Sequence, residues 1–409
     1  MRFNTSLLHG GAEKEKYGAS LVPIYQSSAF QQESAENLEG IFENRRPGYC
    51  YTRVGNPTIA SFENRITKLE GGIASIACAS GMAALMNAIL SILKSGDEIV
   101  SSASLYGGSI DLFHDIEAFD IKTRYVKSND WEAYEKAINE NTRLIFAETI
   151  GNPCLDVTDI DKLAKLAHAH GLPLIIDNTT ATSYLIRAIE HGADIVINSS
   201  SKYINGSSNS ISGILTDSGR FKWDLEKYPG LKDYKKFGPM CYIAKLRNSF
   251  FRNTGACLAP MNAYLNMIGL ETMGLRMERQ CANALALASW LEESYPRIKV
   301  NYPGLKSSPW HKIAEEELTN GYGAIFTIRV GSKEKAFQLI NSLEIPYTLS
   351  NVGDTKTLVL HPASTISLHS SQQEKEDAGV FEDLIRVSVG IEDIEDLKED
   401  FAQAMQKIE

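Results

Sequence analysis

Ala193-Asp194-Ile195-Val196-Ile197-Asn198-Ser199-Ser200-Ser201-Lys202-Tyr203 is the stretch on which the fold turns. An apolar run of strand length ends there in a cluster of hydroxyls and a lysine. Comparable runs precede it at 73–79, 98–101, 143–147 and 173–176. Between them, residues 82–93 and 160–170 carry apolar side chains at helical spacing, the second stopped by Gly171. Strand-sized runs separated by helices predict a mostly parallel sheet covered by helices on both faces. Upstream, Asn56-Pro57-Thr58 starts a helix through Phe62, Ile66 and Leu69, closed by Gly71-Gly72.

The rest of the chain arranges itself around that sheet. Residues 1–55 are polar and irregular, with Gly10-Gly11 and Arg45-Arg46-Pro47-Gly48, and read as an extended N-terminal arm. A large domain is expected over 56–255 and a C-terminal domain over 256–409. Residues 220–250, punctuated by Pro229-Gly230 and Gly238-Pro239, read as a loop or crossover. A long helix from Pro260 to about Glu293 is placed to bridge the two domains. Strands at 324–330, 357–360 and 384–389 with helices at 333–343 and 394–408 make the last part a smaller α/β unit.

In an open parallel sheet, ligands bind at the carboxyl ends of the strands. The runs end in turn at Ser80-Gly81-Met82, Tyr106-Gly107-Gly108, Glu148 with Asn152-Pro153 beyond, Asp177-Asn178-Thr179, and Ser199 to Lys202. Polar or small residues thus recur at one edge. Ser80-Gly81-Met82 opens a helix, whose free N–H groups suit a phosphate; a plain N-cap is the alternative. Ser199 and Ser201 could add hydroxyls to the same anion. Asp177 follows an apolar run, so its carboxylate needs a partner: a salt bridge, a capped helix, or the ring nitrogen of a pyridinium cofactor. Lys202 beside a buried strand would have a lowered pKa, as Schiff-base chemistry requires, although most lysines are solvated surface charges. Tyr106 could stack on a flat ligand or simply fill the core.

Composition narrows the function further. Of the 409 residues, 43% are hydrophobic, ample for more than one core. A net charge of −10 disfavours nucleic acid and anionic membranes as partners. Six scattered cysteines contain no C-x-x-C pair, and no dinucleotide, Walker or H-E-x-x-H motif occurs, so no metal is expected. His168 and His170, two apart on a helix, do not share a face and read as surface residues. With no apolar leader and no run near ~18 apolar residues, a reduced cytoplasmic setting is expected.

In this combination the chain resembles the Cys/Met-metabolism family of pyridoxal-phosphate enzymes. The likeness extends from Pro23-Ile24-Tyr25-Gln26 to Arg386-Val387-Ser388-Val389-Gly390. It implies the fold type I, aspartate-aminotransferase-like α/β architecture. It makes Lys202 the Schiff-base lysine, Asp177 the partner of the pyridine nitrogen, and Gly81 and Met82 (beside Ser80) the phosphate-binding amides, joined by Ser199 and Ser201. Thr179, in the Asp177-Asn178-Thr179 run, counts among the cofactor-binding residues. Tyr106 resembles the residue that stacks on the ring and assists proton transfer. Asn152 is similar to the residue near the cofactor's 3-hydroxyl, and Arg386 to the clamp for the substrate α-carboxylate. Tyr51 and Arg53, in Tyr-x-Arg-x-x-Asn-Pro-Thr, resemble the pair that reaches the phosphate of a neighbouring subunit, Tyr51 bordering the substrate as well. A homotetramer, a dimer of dimers with shared sites, is implied.

Within the family, residues 350–357 (Ser-Asn-Val-Gly-Asp-Thr-Lys-Thr) and His361-Pro362-Ala363-Ser364-Thr365 are most similar to O-acetylhomoserine sulfhydrylases, and place Asn351 at the substrate. The implied reaction is γ-replacement in methionine biosynthesis: O-acetylhomoserine with sulfide or methanethiol gives homocysteine or methionine, plus acetate. Alternatives are methionine γ-lyase or cystathionine γ-synthase chemistry, or an inactive, regulatory cofactor-binding protein. Gly108 stands where methionine γ-lyases typically have Cys. Ser207, Asn209, Ile366 and Ser367 depart from the residues common among relatives and bear on substrate choice.

Overall fold

The computed structural model describes residues 1–11 and 16–408. Seven strands form the larger sheet: β1 (Ala74–Cys78), β2 (Glu98–Ser102), β3 (Lys122–Val126), β4 (Thr142–Glu148), β5 (Leu174–Asp177), β6 (Ile195–Asn198) and β7 (Gly213–Asp217). Their order is β1-β7-β6-β5-β4-β2-β3, and β7 alone runs against its neighbours. The sheet is therefore mostly parallel, with helices on both sides.

Why these runs lack polar alternation is plain from the packing. Ile145, Ala147, Leu174, Ile176 and Val196 enter one hydrophobic core, while Leu144, Phe146, Ile175, Ile195 and Ile197 enter another on the opposite face. Side chains alternate across the sheet, but both faces are apolar because helices cover both. The helix Pro57–Glu70 starts as expected: the Asn56 side chain accepts the Thr58 N–H at 2.9 Å, and Gly71 closes it at φ 76°.

The second sheet has five strands, β8 (Lys299–Asn301), β9 (Ile325–Arg329), β10 (Tyr347–Thr348), β11 (Leu358–Leu360) and β12 (Leu384–Ser388), ordered β10-β11-β12-β9-β8. Only β10 and β11 are parallel. The helix Met273–Ser294 packs on both units, touching the helix Phe3–His9 at one side and β8, β9 and the helix Ile394–Met405 at the other.

Three expectations need correction. The arm is not wholly extended, because Phe3–His9 and Ala35–Phe42 are helical and Leu7 is fully buried. Residues 220–250 hold a 3-10 segment, Pro229–Met240, kinked at Gly238, and then the short helix Cys241–Lys245. Trp223, Tyr228 and Tyr242 pack together there, so aromatic burial organises what composition suggested was a loop. The long helix is two, Pro260–Glu271 and Met273–Ser294, meeting at Thr272. Among the described residues, no helix is long and apolar enough to cross a membrane.

Candidate active site

Five mutually parallel strands (β1, β2, β4, β5 and β6) point their carboxyl ends at one cavity of about 340 Å3. That is room for a small ligand. Ser80, Gly81, Met82, Tyr106, Asn152, Asp177, Thr179, Ser199, Ser201, Lys202, Asn351 and Arg386 all line it. Residues far apart in the sequence are thus brought together by strand order.

Glu148 and Asp177 are direct neighbours across β4 and β5. Burial raises the Asp177 carboxyl above its ordinary pKa, against the hydrogen bonds from Thr179, whose N–H donates to Oδ1 at 2.9 Å. Glu148 is raised well above its usual value by burial and then by Asp177's charge. No cationic side chain pairs with either among the described residues. Two enclosed carboxyls without a counter-charge make a place for a positively charged group.

Lys202 follows β6 in a turn of serines. Its amine donates to Asn351 Oδ1 at 2.5 Å. Burial, and next the nearby charge of Arg386, bring its pKa down to about 8. Arg386, on β12, is buried and donates to Asn152 Oδ1 at 3.1 Å and to the Asn351 carbonyl at 3.0 Å. Among the described residues its Nε has no partner and no carboxylate neutralises it, and burial lowers its pKa to about 10. A buried guanidinium in that condition suits a carboxylate that arrives from outside.

At the start of the helix Gly81–Leu90, the Ser80 hydroxyl accepts the Ala83 N–H at 3.0 Å. Ser80 is therefore an N-cap, which leaves the Gly81 and Met82 amides at the positive end of the helix. A Cβ on Gly81 would lie 2.7 Å from Ser199 Cβ, so only glycine lets these two segments meet. Thr179 Oγ1 accepts the Ser199 N–H at 2.8 Å. Ser201 differs from the expectation of a free hydroxyl: its Oγ donates to the Ser212 carbonyl at 3.0 Å and accepts the Ser212 N–H at 2.7 Å. It can serve an anion only by releasing that carbonyl.

Tyr106 caps the helix Gly107–Asp115, its N–H donating to Glu148 at 2.6 Å, with the ring at the cavity and 41% exposed. A Cβ on Gly108 would come within 2.6 Å of that ring, and one on Gly107 within 2.2 Å of the Ile366 carbonyl. The segment that departs from relatives at Ile366 therefore lies over the same helix start.

Two residues singled out in the sequence are not brought here. Tyr51 and Arg53 lie outside the cavity of their own chain; the Arg53 guanidinium stacks on the Tyr51 ring and donates to the Arg252 carbonyl. One group was missed. Ser208, at φ 53°, accepts from Asn351 Nδ2 at 2.9 Å and donates to Asp354, which in turn pairs with Lys356 at 3.2 Å. Its place in the loop that follows Lys202 is a signal, but the link to Asp354 is purely tertiary.

A family model described as Cys/Met metabolism PLP-dependent enzyme matches residues 4–406. A homocysteine synthase of Schizosaccharomyces pombe is 41% identical over 99% of this chain and 98% of its own. An O-acetyl-L-homoserine sulfhydrylase of Corynebacterium glutamicum is 38% identical over 97% and 94%. Among solved structures, a Campylobacter jejuni chain assigned as an O-acetylhomoserine (thiol)-lyase, with pyridoxyl-lysine phosphate, superposes with a TM-score of 0.95 at 32% identity, covering 99% of this chain and 100% of that one. A cystathionine gamma-lyase from Lactobacillus plantarum, complexed with L-serine, gives 0.87 at 33% identity, covering 100% and 99%.

Proposed function

The chain belongs to the Cys/Met-metabolism PLP-dependent enzymes, and from that membership we propose that it catalyses γ-replacement on O-acetyl-L-homoserine. Sulfide, or methanethiol, displaces acetate and yields homocysteine, or methionine. The observation that carries this choice is the identity of 37–41% across the whole chain with relatives named for that activity.

The cavity fits pyridoxal phosphate. Asp177 is an enclosed carboxylate lacking a cation, Gly81 bares the backbone of a helix start, and Lys202 has an amine with its charge weakened by burial. Bound there, the cofactor supplies an electron sink for carbanions at the amino-acid carbons.

The protein's own groups do the rest. Asp177 holds a proton on the ring nitrogen. The Gly81 and Met82 amides, with the Ser199 hydroxyl, take the phosphate, and Tyr106 covers the ring face. Asn152 would contact the cofactor ring from the cavity wall, and Thr179 holds its carboxylate partner Asp177 in place. Arg386 grips the α-carboxylate with its bidentate fork, while Asn351 orients Lys202. Lys202 carries protons from the α- and β-carbons as acetate leaves the γ-carbon, and returns them after sulfur adds; Tyr106 assists. Tyr51 and Arg53 serve the phosphate of a neighbouring subunit, which makes the working form a dimer at least, with shared sites, and a homotetramer when two such dimers pair. All six cysteines are free thiols, and a cytoplasmic setting is part of the same proposal.

Incubation of the purified enzyme with O-acetylhomoserine tests this reading. Homocysteine is expected only when sulfide is added. Release of 2-oxobutyrate without any thiol would instead assign the chain to γ-elimination.

A further inference from the structure

Away from the cavity, three side chains from separate elements converge. Asp161 lies in the first turn of the helix Ile160–Ala169, His191 in the turn before β6, and Glu317 at the end of the helix His311–Glu317. His191 Nδ1 is 3.3 Å from Asp161 Oδ2 and 3.5 Å from Glu317 Oε2, and the three ligand atoms lie within 4.8 Å of one another. None of the three lines the active-site cavity.

Glu317 is the observation that points beyond an acidic patch. Its side chain is only 8% exposed; the carboxyl takes a backbone hydrogen bond from Ile160, yet Oε2 has no hydrogen-bond donor among the described residues. A ring nitrogen carries one proton, and here it can serve Asp161 or Glu317 but not both. The nearby ammonium, Lys162, is already bound to Asp159 at 2.7 Å. Burial, followed by the charges of Asp159 and Asp161, pushes the Glu317 carboxyl up to about 7. The spot is electronegative, partly enclosed and short of one cation.

The spacing suits a small transition-metal ion. Zinc bonds of about 2.0–2.2 Å to nitrogen and oxygen in a tetrahedron set ligand atoms roughly 3.3–3.6 Å apart. The two edges from His191 fall in that range. The third, from Asp161 to Glu317, is no longer than 4.8 Å, and the half-exposed Asp161 side chain is free to rotate toward the ion. We propose that Asp161, His191 and Glu317 bind one divalent transition-metal ion, zinc by preference, with water as fourth ligand. The ion would tie the helix His311–Glu317 to the helical layer of the larger sheet, a structural clasp separate from catalysis.

The test uses holoenzyme stripped with a chelator and dialysed against zinc chloride. Metal analysis should give one zinc per chain above that of Asp161→Asn or His191→Ala, with a rise in melting temperature that both variants lose. Loss of a ligand should weaken binding by more than the ~10–100-fold typical of an outer-shell partner. Cobalt in place of zinc should give visible d–d absorption in the wild type and none in His191→Ala. The cofactor band, unchanged in every variant, reports that each has folded. Zinc uptake by the variants equal to wild type, or none by the wild type, overturns the proposal; the exposed Asp161→Asn keeps it testable should a change at His191 disturb folding.

Discussion

The Lys202 amine and the Asn351 side-chain oxygen are 2.5 Å apart although 149 positions separate them in the chain. Asn351 is itself fixed from two sides, by Ser208 through its amide nitrogen and by Arg386 through its carbonyl. The amine is thus aimed before any cofactor arrives. Its pKa of about 8 leaves roughly a tenth of it neutral at pH 7, against well under a thousandth for an ordinary lysine. Only the neutral amine attacks an aldehyde. Capture of pyridoxal phosphate by the stripped chain should therefore accelerate as pH rises and level off above about 8. Asn351→Asp, which sets a negative charge beside the amine, should move that midpoint upward by on the order of one unit. Stopped-flow absorbance of the lysine-bound cofactor reads both; a profile centred near 10 in the wild type would remove the premise.

Asp177→Asn should separate stability from function. The substitution removes an enclosed, uncompensated carboxyl, so the cofactor-free chain should melt no lower than wild type. Cofactor affinity and turnover should both fall, turnover by at least ~100-fold. Thermal melts of the stripped protein beside steady-state assays decide it, and a large drop in melting temperature would show that Asp177 is structural.

For Arg386, the conservative change is informative. Lysine keeps the charge but loses the fork and the bonds to Asn152 and Asn351. Arg386→Lys should lower kcat/KM for O-acetylhomoserine by about 10–100-fold, consistent with loss of a charge-assisted bidentate contact, while the cofactor band persists. Equal kinetics with substrate and with its α-carboxamide would argue that no carboxylate binds there.

Gly81→Ala places a methyl 2.7 Å from Ser199 Cβ. The helix start must shift, and overpacking of this kind costs about 1–3 kcal/mol. Weaker retention of cofactor on gel filtration is expected, with the rest of the fold intact by circular dichroism.

Much of the larger sheet was legible in the sequence because its strands are buried on both faces and read as unbroken apolar runs. β3 escaped, since as an edge strand it alternates exposed charges (Lys122, Arg124) with half-buried Thr123 and Tyr125 and shows no apolar run. β7 escaped because its antiparallel direction follows no helix. At the site, Lys202, Asp177 and Tyr106 were legible through their place after strands. The hydroxyl of Ser201, spent on Ser212, and the Ser208–Asp354 contact were not, because hydrogen-bond partners between distant loops leave no local pattern.

Arg53 and Tyr51 stand outside the cavity of the chain that carries them. If these side chains complete a neighbour's site, a lesion and its symptom fall on different molecules. Copies with Lys202→Ala and copies with Arg53→Ala, each inert alone, should regain part of the activity when coassembled, because one interface then contains two sound halves. Genetically, such alleles would complement each other within a single locus.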